Sequence, residues 1–121
     1  DGATVMANSS HYLDVDLQHC ARQIEGSNIA FYLVESPAGR VSGEKKAAHE
    51  NFIYVLDGAL DAKVGSKKKR VKKGDVIHVP RGKAWQLTVA GNAPARYAGV
   101  HSTVQLEAYI DQHGAADNWR G

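Results

Sequence analysis

The chain has 121 residues, 43% of them hydrophobic and 23% charged, a size that suits one domain with a real core. Its single Cys20 excludes an intramolecular disulfide framework and a paired-cysteine zinc site, and no apolar run approaches the roughly 18 residues that span a bilayer. The net charge of +2 conceals an asymmetry: Lys67, Lys68, Lys69, Arg70, Lys72 and Lys73 are six of the 15 basic residues, and the other nine face 13 acidic ones, which is not the broad basic footprint of a nucleic-acid binder.

In chain order, Met6 reads as a natural start, with residues 1–5 an added leader and residues 1–10 a flexible end. No basic-then-apolar signal is visible, so the cytoplasm is the default expectation. Residues 12–22 are mixed and fit a short strand or a turn of helix. Residues 29–34 form a β-rich run closed by Ser36, Pro37 and Gly39. Residues 52–56 form another, and Asp57-Gly58 behind them is a hairpin signal that makes residues 59–64 the returning strand. Gly65, Ser66 and Lys67 read as a second turn, and residues 67–73 as a basic loop. Residues 76–79 are a strand entered by Gly74-Asp75 and stopped by Pro80-Arg81-Gly82. Residues 85–89 follow, then a turn through residues 91–94, then alternation over 96–101. Residues 104–112 fit a short strand followed by a helical turn. Many short strands between Gly and Pro turns predict an all-β barrel or sandwich.

Gly74, Pro80 and Gly82 stand at the spacing G-x5-P-x-G, and residues 54–58 match the hairpin that closes a histidine-rich first motif. Over residues 38–101 this framework resembles a small single-domain cupin. The resemblance implies a β-barrel of jelly-roll type over residues 1–121, with a short helical turn near the C-terminus. It also implies where a metal would sit: two histidines and a Glu or Gln from the first motif, and one histidine from the second. Those positions hold Lys45, Ala47, Asn51 and Trp85. Lysine is a cation, alanine has no donor atom, asparagine is a weak oxygen ligand, and the indole N–H has no lone pair to give. A metal-independent protein without a cofactor is therefore expected, with an unusual site built from His49, His78 or His101 as the alternative.

His49 lies two residues before Asn51, so strand alternation puts both on one face. An imidazole there suits proton transfer; the other reading is a rim histidine that pairs with Glu50 or water. His101 alternates with Tyr97 and Gly99 and faces either a pocket or the outside. His78 is expected to be packed or outward. His11, His19 and His113 are expected in solvent, and Cys20 buried or inert. Lys45 is a candidate nucleophile or base if buried, and otherwise a solvated lysine beside Glu44 and Lys46. Trp85 fills the core or floors a pocket, with Leu87 and Val89 on its face. Tyr32 belongs to an aromatic stripe. Phe52 and Tyr54 have the opposite parity to Asn51 and are expected outside the barrel, against a partner in a homodimer.

These residues predict a metal-independent enzyme that acts on a small, partly apolar organic molecule by acid/base chemistry, as an isomerase, lyase (dehydratase) or cyclase. His49, His101 and Lys45 are its candidate catalytic groups; Asn51, Trp85, Leu87 and Tyr32 are its candidate substrate contacts. The alternative is a non-catalytic module that binds or senses a small molecule. A third reading makes the basic loop a nucleic-acid or membrane contact, but charge runs are usually solvated, and neither partner is expected.

Overall fold

The computed structural model of the protein describes residues 23–113. Its strands are β1 (Gln23–Glu25), β2 (Ile29–Ser36), β3 (Lys45–Lys46), β4 (Asn51–Asp57), β5 (Ala59–Val64), β6 (Lys67–Lys72), β7 (Val76–Val79), β8 (Ala84–Ala90) and β9 (Ala95–Ser102), followed by helix α1 (Val104–His113). Two antiparallel sheets face each other, ordered β1-β2-β9-β4-β7 and β3-β8-β5-β6. The non-consecutive neighbours β2-β9-β4 and β3-β8-β5 are the crossovers of a jelly roll.

Period-2 patterning builds the core. In β4, Asn51, Ile53 and Val55 are buried while Phe52 and Tyr54 are exposed, so the parity read from sequence holds. Ile53, Leu60, Val34, Val55 and Val79 are the largest fully buried side chains, contributed by both sheets. The turn after β4 is not the expected hairpin: β4 pairs with β7 and β9, and β5 with β6 and β8, so Asp57-Gly58 carries the chain from one sheet to the other, and it needs its glycine. Gly58 has φ 79°, and a Cβ there would stand 2.6 Å from the Pro94 carbonyl oxygen.

Two further expectations are corrected. Residues 67–72 are not a loop. They form strand β6, paired with β5 from Ala59↔Lys72 to Val64↔Lys67, and the turn is confined to Gly65 and Ser66. β6 is a sheet edge, so its backbone bonds to one neighbour while most of its side chains stay in water; only Val71 is buried. Lysine can therefore occupy a strand whose pattern looks like a loop. The second correction is at residues 104–112, where no strand precedes the helix. Thr103 follows β9 and caps α1: its hydroxyl accepts from the Leu106 N–H at 3.2 Å, and its carbonyl accepts from the Glu107 N–H at 3.0 Å.

No helix among the described residues is long and apolar enough to cross a membrane. The expectations for residues 1–22, including His11, His19 and Cys20, lie outside the described residues.

Candidate functional site

The register of the five-stranded sheet brings distant residues into rows. Ala30, His101, Asn51 and Val79 are neighbours across β2, β9, β4 and β7. The next inward row is Tyr32, Gly99, Ile53 and Ile77. Gly99 shapes this end of the barrel, because a Cβ there would collide with the Tyr32 ring. The ring instead lies across Gly99, and its hydroxyl donates to Asn51 Oδ1 at 2.9 Å. Burial, with Tyr97 nearby, pushes the Tyr32 phenol above its ordinary range, so it stays protonated and serves as a donor. Asn51 Nδ2 then donates to the His49 carbonyl at 2.9 Å, which ties down the turn that carries His49.

The two histidines meet. The rings of His49 and His101 stack with centroids 4.7 Å apart and planes 13° apart, and the Tyr32 ring lies 5.9 Å from that of His101. Each Nδ1 has an acceptor. His49 Nδ1 is 3.0 Å from Glu107 Oε2, and His101 Nδ1 is 2.7 Å from the Ser102 carbonyl. A carboxylate and a carbonyl can only accept, so each Nδ1 carries the hydrogen and the neutral ring keeps its lone pair on Nε2.

Glu107 is the residue that the sequence reading missed. It sits in the first turn of α1, where its carboxylate also accepts from Ser102 Oγ at 2.6 Å and lies 3.8 Å from Arg81 Nη1. Burial pushes its carboxyl up. The hydrogen bonds from Ser102 and His49, with the charges of His49 and Arg81, outweigh that and hold it below the usual carboxylate range. The signal that could have found it was Thr103, a cap residue just before a helix whose first turn carries an acid.

The other predicted site residues lie elsewhere. Lys45 is exposed on β3 opposite Trp85, with its Nζ 5.8 Å from the Trp85 ring centroid, a cation–π contact. Trp85 is half-buried against the core. Leu87 is a core residue, 5% exposed, beside Tyr97 and a void of only about 10 Å³. Tyr97 is four residues from His101 along β9, roughly 13 Å at strand rise, so Leu87 packs the interior at a distance from the histidines. His78 points outward, stacked on Phe52 at 4.6 Å and bonded to Glu50 at 2.7 Å. Glu50 thus pairs with His78 and not with His49.

The residues at the cupin metal positions do not fit a metal. The Lys45 ammonium lies over an indole, Ala47 has no donor, the Asn51 amide is engaged at both ends, and Trp85 offers only an N–H. Among the described residues no group of three or more His, Cys, Asp or Glu side chains is arranged to hold one. Beside the histidine pair, a cavity of about 230 Å³ opens between α1 and the barrel rim, lined by Glu50, Arg81, Ser102 and Glu107 with Leu106 and Ile110.

The cupin domain family model (Cupin_2) matches residues 32–101. No curated protein matches in sequence. Among solved structures, the cupin domain of Schizosaccharomyces pombe Cnp3 is 27% identical with a TM-score of 0.66, over 79% of this chain and 72% of that one. KdgF from Halomonas sp. is 15% identical with a TM-score of 0.68, over 85% of this chain and 96% of that one. A sugar phosphate isomerase of the cupin superfamily from Silicibacter pomeroyi is 22% identical with a TM-score of 0.57, over 64% of this chain and 52% of that one. The family match covers more than half of the sequence, and the strand order is that of a jelly roll: the chain belongs to the cupin family.

Proposed function

We propose that the protein is a metal-independent cupin enzyme that moves protons on a small, partly apolar organic molecule, in an isomerisation, an elimination or a cyclisation. The observation that carries this reading is the stacked pair His49–His101, with both Nδ1 atoms tied to acceptors. In this scheme one Nε2 takes a proton from the substrate and the partner imidazole, protonated, returns one at a second atom. The Glu107 carboxylate stabilises the positive charge that forms on His49 and holds its ring orientation. Tyr32 and Asn51 position the pair and contact the substrate. A fold shared with a sugar phosphate isomerase agrees with this class of chemistry but does not select within it.

The second reading is a non-catalytic module. One observation favours it: the cavity at the cluster is small for a ligand pocket, about 230 Å³, and its lining is Glu50, Arg81, Ser102 and Glu107, not the two imidazoles.

One experiment separates the two. A panel of small aldoses, keto acids and hydroxy acids is incubated with the protein in D2O, and solvent deuterium entering C–H positions is followed by proton NMR. The enzyme reading expects exchange into at least one compound, slowed about 10²–10⁴-fold in His49→Ala, with His101→Ala also impaired and both variants folded. Saturable binding of panel members without exchange in any variant would favour the module.

A further inference from the structure

A second cleft lies where the two sheets leave edges unpaired. β6 ends one sheet and β7 ends the other, and between them is a cavity of about 420 Å³. Its floor is apolar, made by Val64, Val71 and Ile77, and its walls carry Lys67, Lys69 and Lys83. None of the cupin metal positions and neither histidine of the stacked pair lines it.

The lysines are on two faces of β6. Lys67 and Lys69 share parity with buried Val71 and turn into the cleft, whereas Lys68, Arg70 and Lys72 point the other way. Lys83 comes from a different segment, the turn after Pro80, and its chain lies against Gly65. Three other cations have carboxylates: Lys63 pairs with Glu44 at 2.9 Å, Arg70 with Asp61 at 2.8 Å, and Arg81 with Asp111 at 3.1 Å. Lys67, Lys69 and Lys83 have no carboxylate partner among the described residues, and no Asp or Glu lines the cleft. Three cations thus line one cavity that has no carboxylate in its lining, and an anion placed there would meet their charge.

We propose that this cleft binds a small organic anion, with a carboxylate or phosphate group held by Lys67, Lys69 and Lys83 and an apolar body lying on Val64, Val71 and Ile77. The volume falls within the range of small-molecule sites. The division of charge argues for a small ligand over a polymer: a nucleic acid tracking β6 would need the outer face too, and there Arg70 is already bound to Asp61 through two hydrogen bonds, 2.8 and 3.0 Å. Lysine on an edge strand also discourages edge-to-edge pairing, but that role does not call for Lys83, which lies outside any strand.

The test titrates the full chain with hexyl phosphate, hexanoate, inorganic phosphate and hexanol, reading the methyl NMR signals of Val64, Val71 and Ile77. Hexyl phosphate and hexanoate should bind saturably and shift those methyls. Hexyl phosphate should bind at least about tenfold more tightly than inorganic phosphate, because its chain buries several methylenes. Hexanol should leave the signals unmoved. The double variant Lys67→Gln/Lys69→Gln should lose about tenfold or more in affinity. The control Lys68→Gln/Lys72→Gln removes the same charge from the outer face and should stay within about twofold of the parent, as expected when only screened, longer-range charge is lost. The proposal is overturned by absence of saturable binding, by equal losses in the two double variants, or by a single-stranded oligonucleotide of about 20 nucleotides that binds through both faces with steep salt dependence. It is equally overturned if Lys67→Gln/Lys69→Gln binds the probes normally and only aggregates, since the lysines would then serve as edge protection.

Discussion

Gly99 and Glu107 each show how one residue sets the candidate site. Gly99 is there because the Tyr32 ring occupies the space of its missing Cβ. Gly99→Ala should push the ring away, break the Tyr32–Asn51 hydrogen bond and cost about 1–3 kcal/mol of stability. Urea denaturation measures this, and Tyr32→Phe, which removes the bond without the clash, should retain the packing and lose only the polar part, leaving Asn51 Oδ1 short of a donor. Glu107 gives a pH dependence with a definite sign. Its folded-state carboxyl lies below the ordinary 4.5, so the unfolded chain takes up a proton first as pH falls. The stabilisation is complete above that ordinary value and disappears as pH drops through the lowered one. Thermal melts from neutral pH to about pH 3 should show the parent losing stability over the acid limb. Glu107→Gln should start lower at neutral pH and fall less, and parallel curves would sink the assignment.

At the level of elements, the helix α1 matters because it delivers Glu107 to His49 across 58 residues of sequence. Its own apolar face is weak, and none of its residues is buried. Its start therefore depends on Thr103, which is 5% exposed, caps the helix and also donates to the Ser27 carbonyl at 2.7 Å. Thr103→Ala should cost roughly 1 kcal/mol, speed hydrogen exchange of the α1 amides, and release His49 from its carboxylate. Unchanged exchange in α1 would mean that other contacts hold the helix. β6 makes the complementary point. It has almost no buried side chains, yet it is a regular strand because β5 supplies its backbone partners. An element can thus be fixed by its neighbour's hydrogen bonds when its own pattern says nothing.

For the whole molecule, the outer face of the five-stranded sheet carries Phe31, Phe52, Tyr54 and Val76, between 38% and 57% exposed. Register aligns Phe31, Val100 and Phe52 in one row and Ala98, Tyr54 and Val76 in the next, so the exposed apolar groups are contiguous across strands. Contiguous patches of this kind mark contact surfaces, and the homodimer expected from parity would cover this one. Light scattering at micromolar concentration should give the mass of two chains, and Phe52→Glu should give one. A parent that scatters as a single chain would refute the dimer.

The sequence by itself determined an all-β chain and where most of its strands start and stop, because Asp57-Gly58, Gly74, Pro80 and Gly82 punctuate short alternating runs, and turn chemistry is a local property; its resemblance to a cupin implied the jelly roll. It also determined the inward parity of Asn51, Ile53 and Val55, since alternation in a strand is geometric. What only the tertiary structure decided was which distant residues meet. His49 and His101 were both legible as candidates, but their stacking depends on the Asn51↔His101 register between β4 and β9. Glu107 was invisible because its role depends on how α1 folds back over the rim. Lys45 looked like a site residue from motif position, and Leu87 from sharing a strand face with Trp85. The pairing of β3 with β8 sends Lys45 over Trp85, and the packing between the sheets encloses Leu87 in the core. Local signals set each strand, while long-range pairing and packing choose the partners that a site requires, and no single segment encodes that choice.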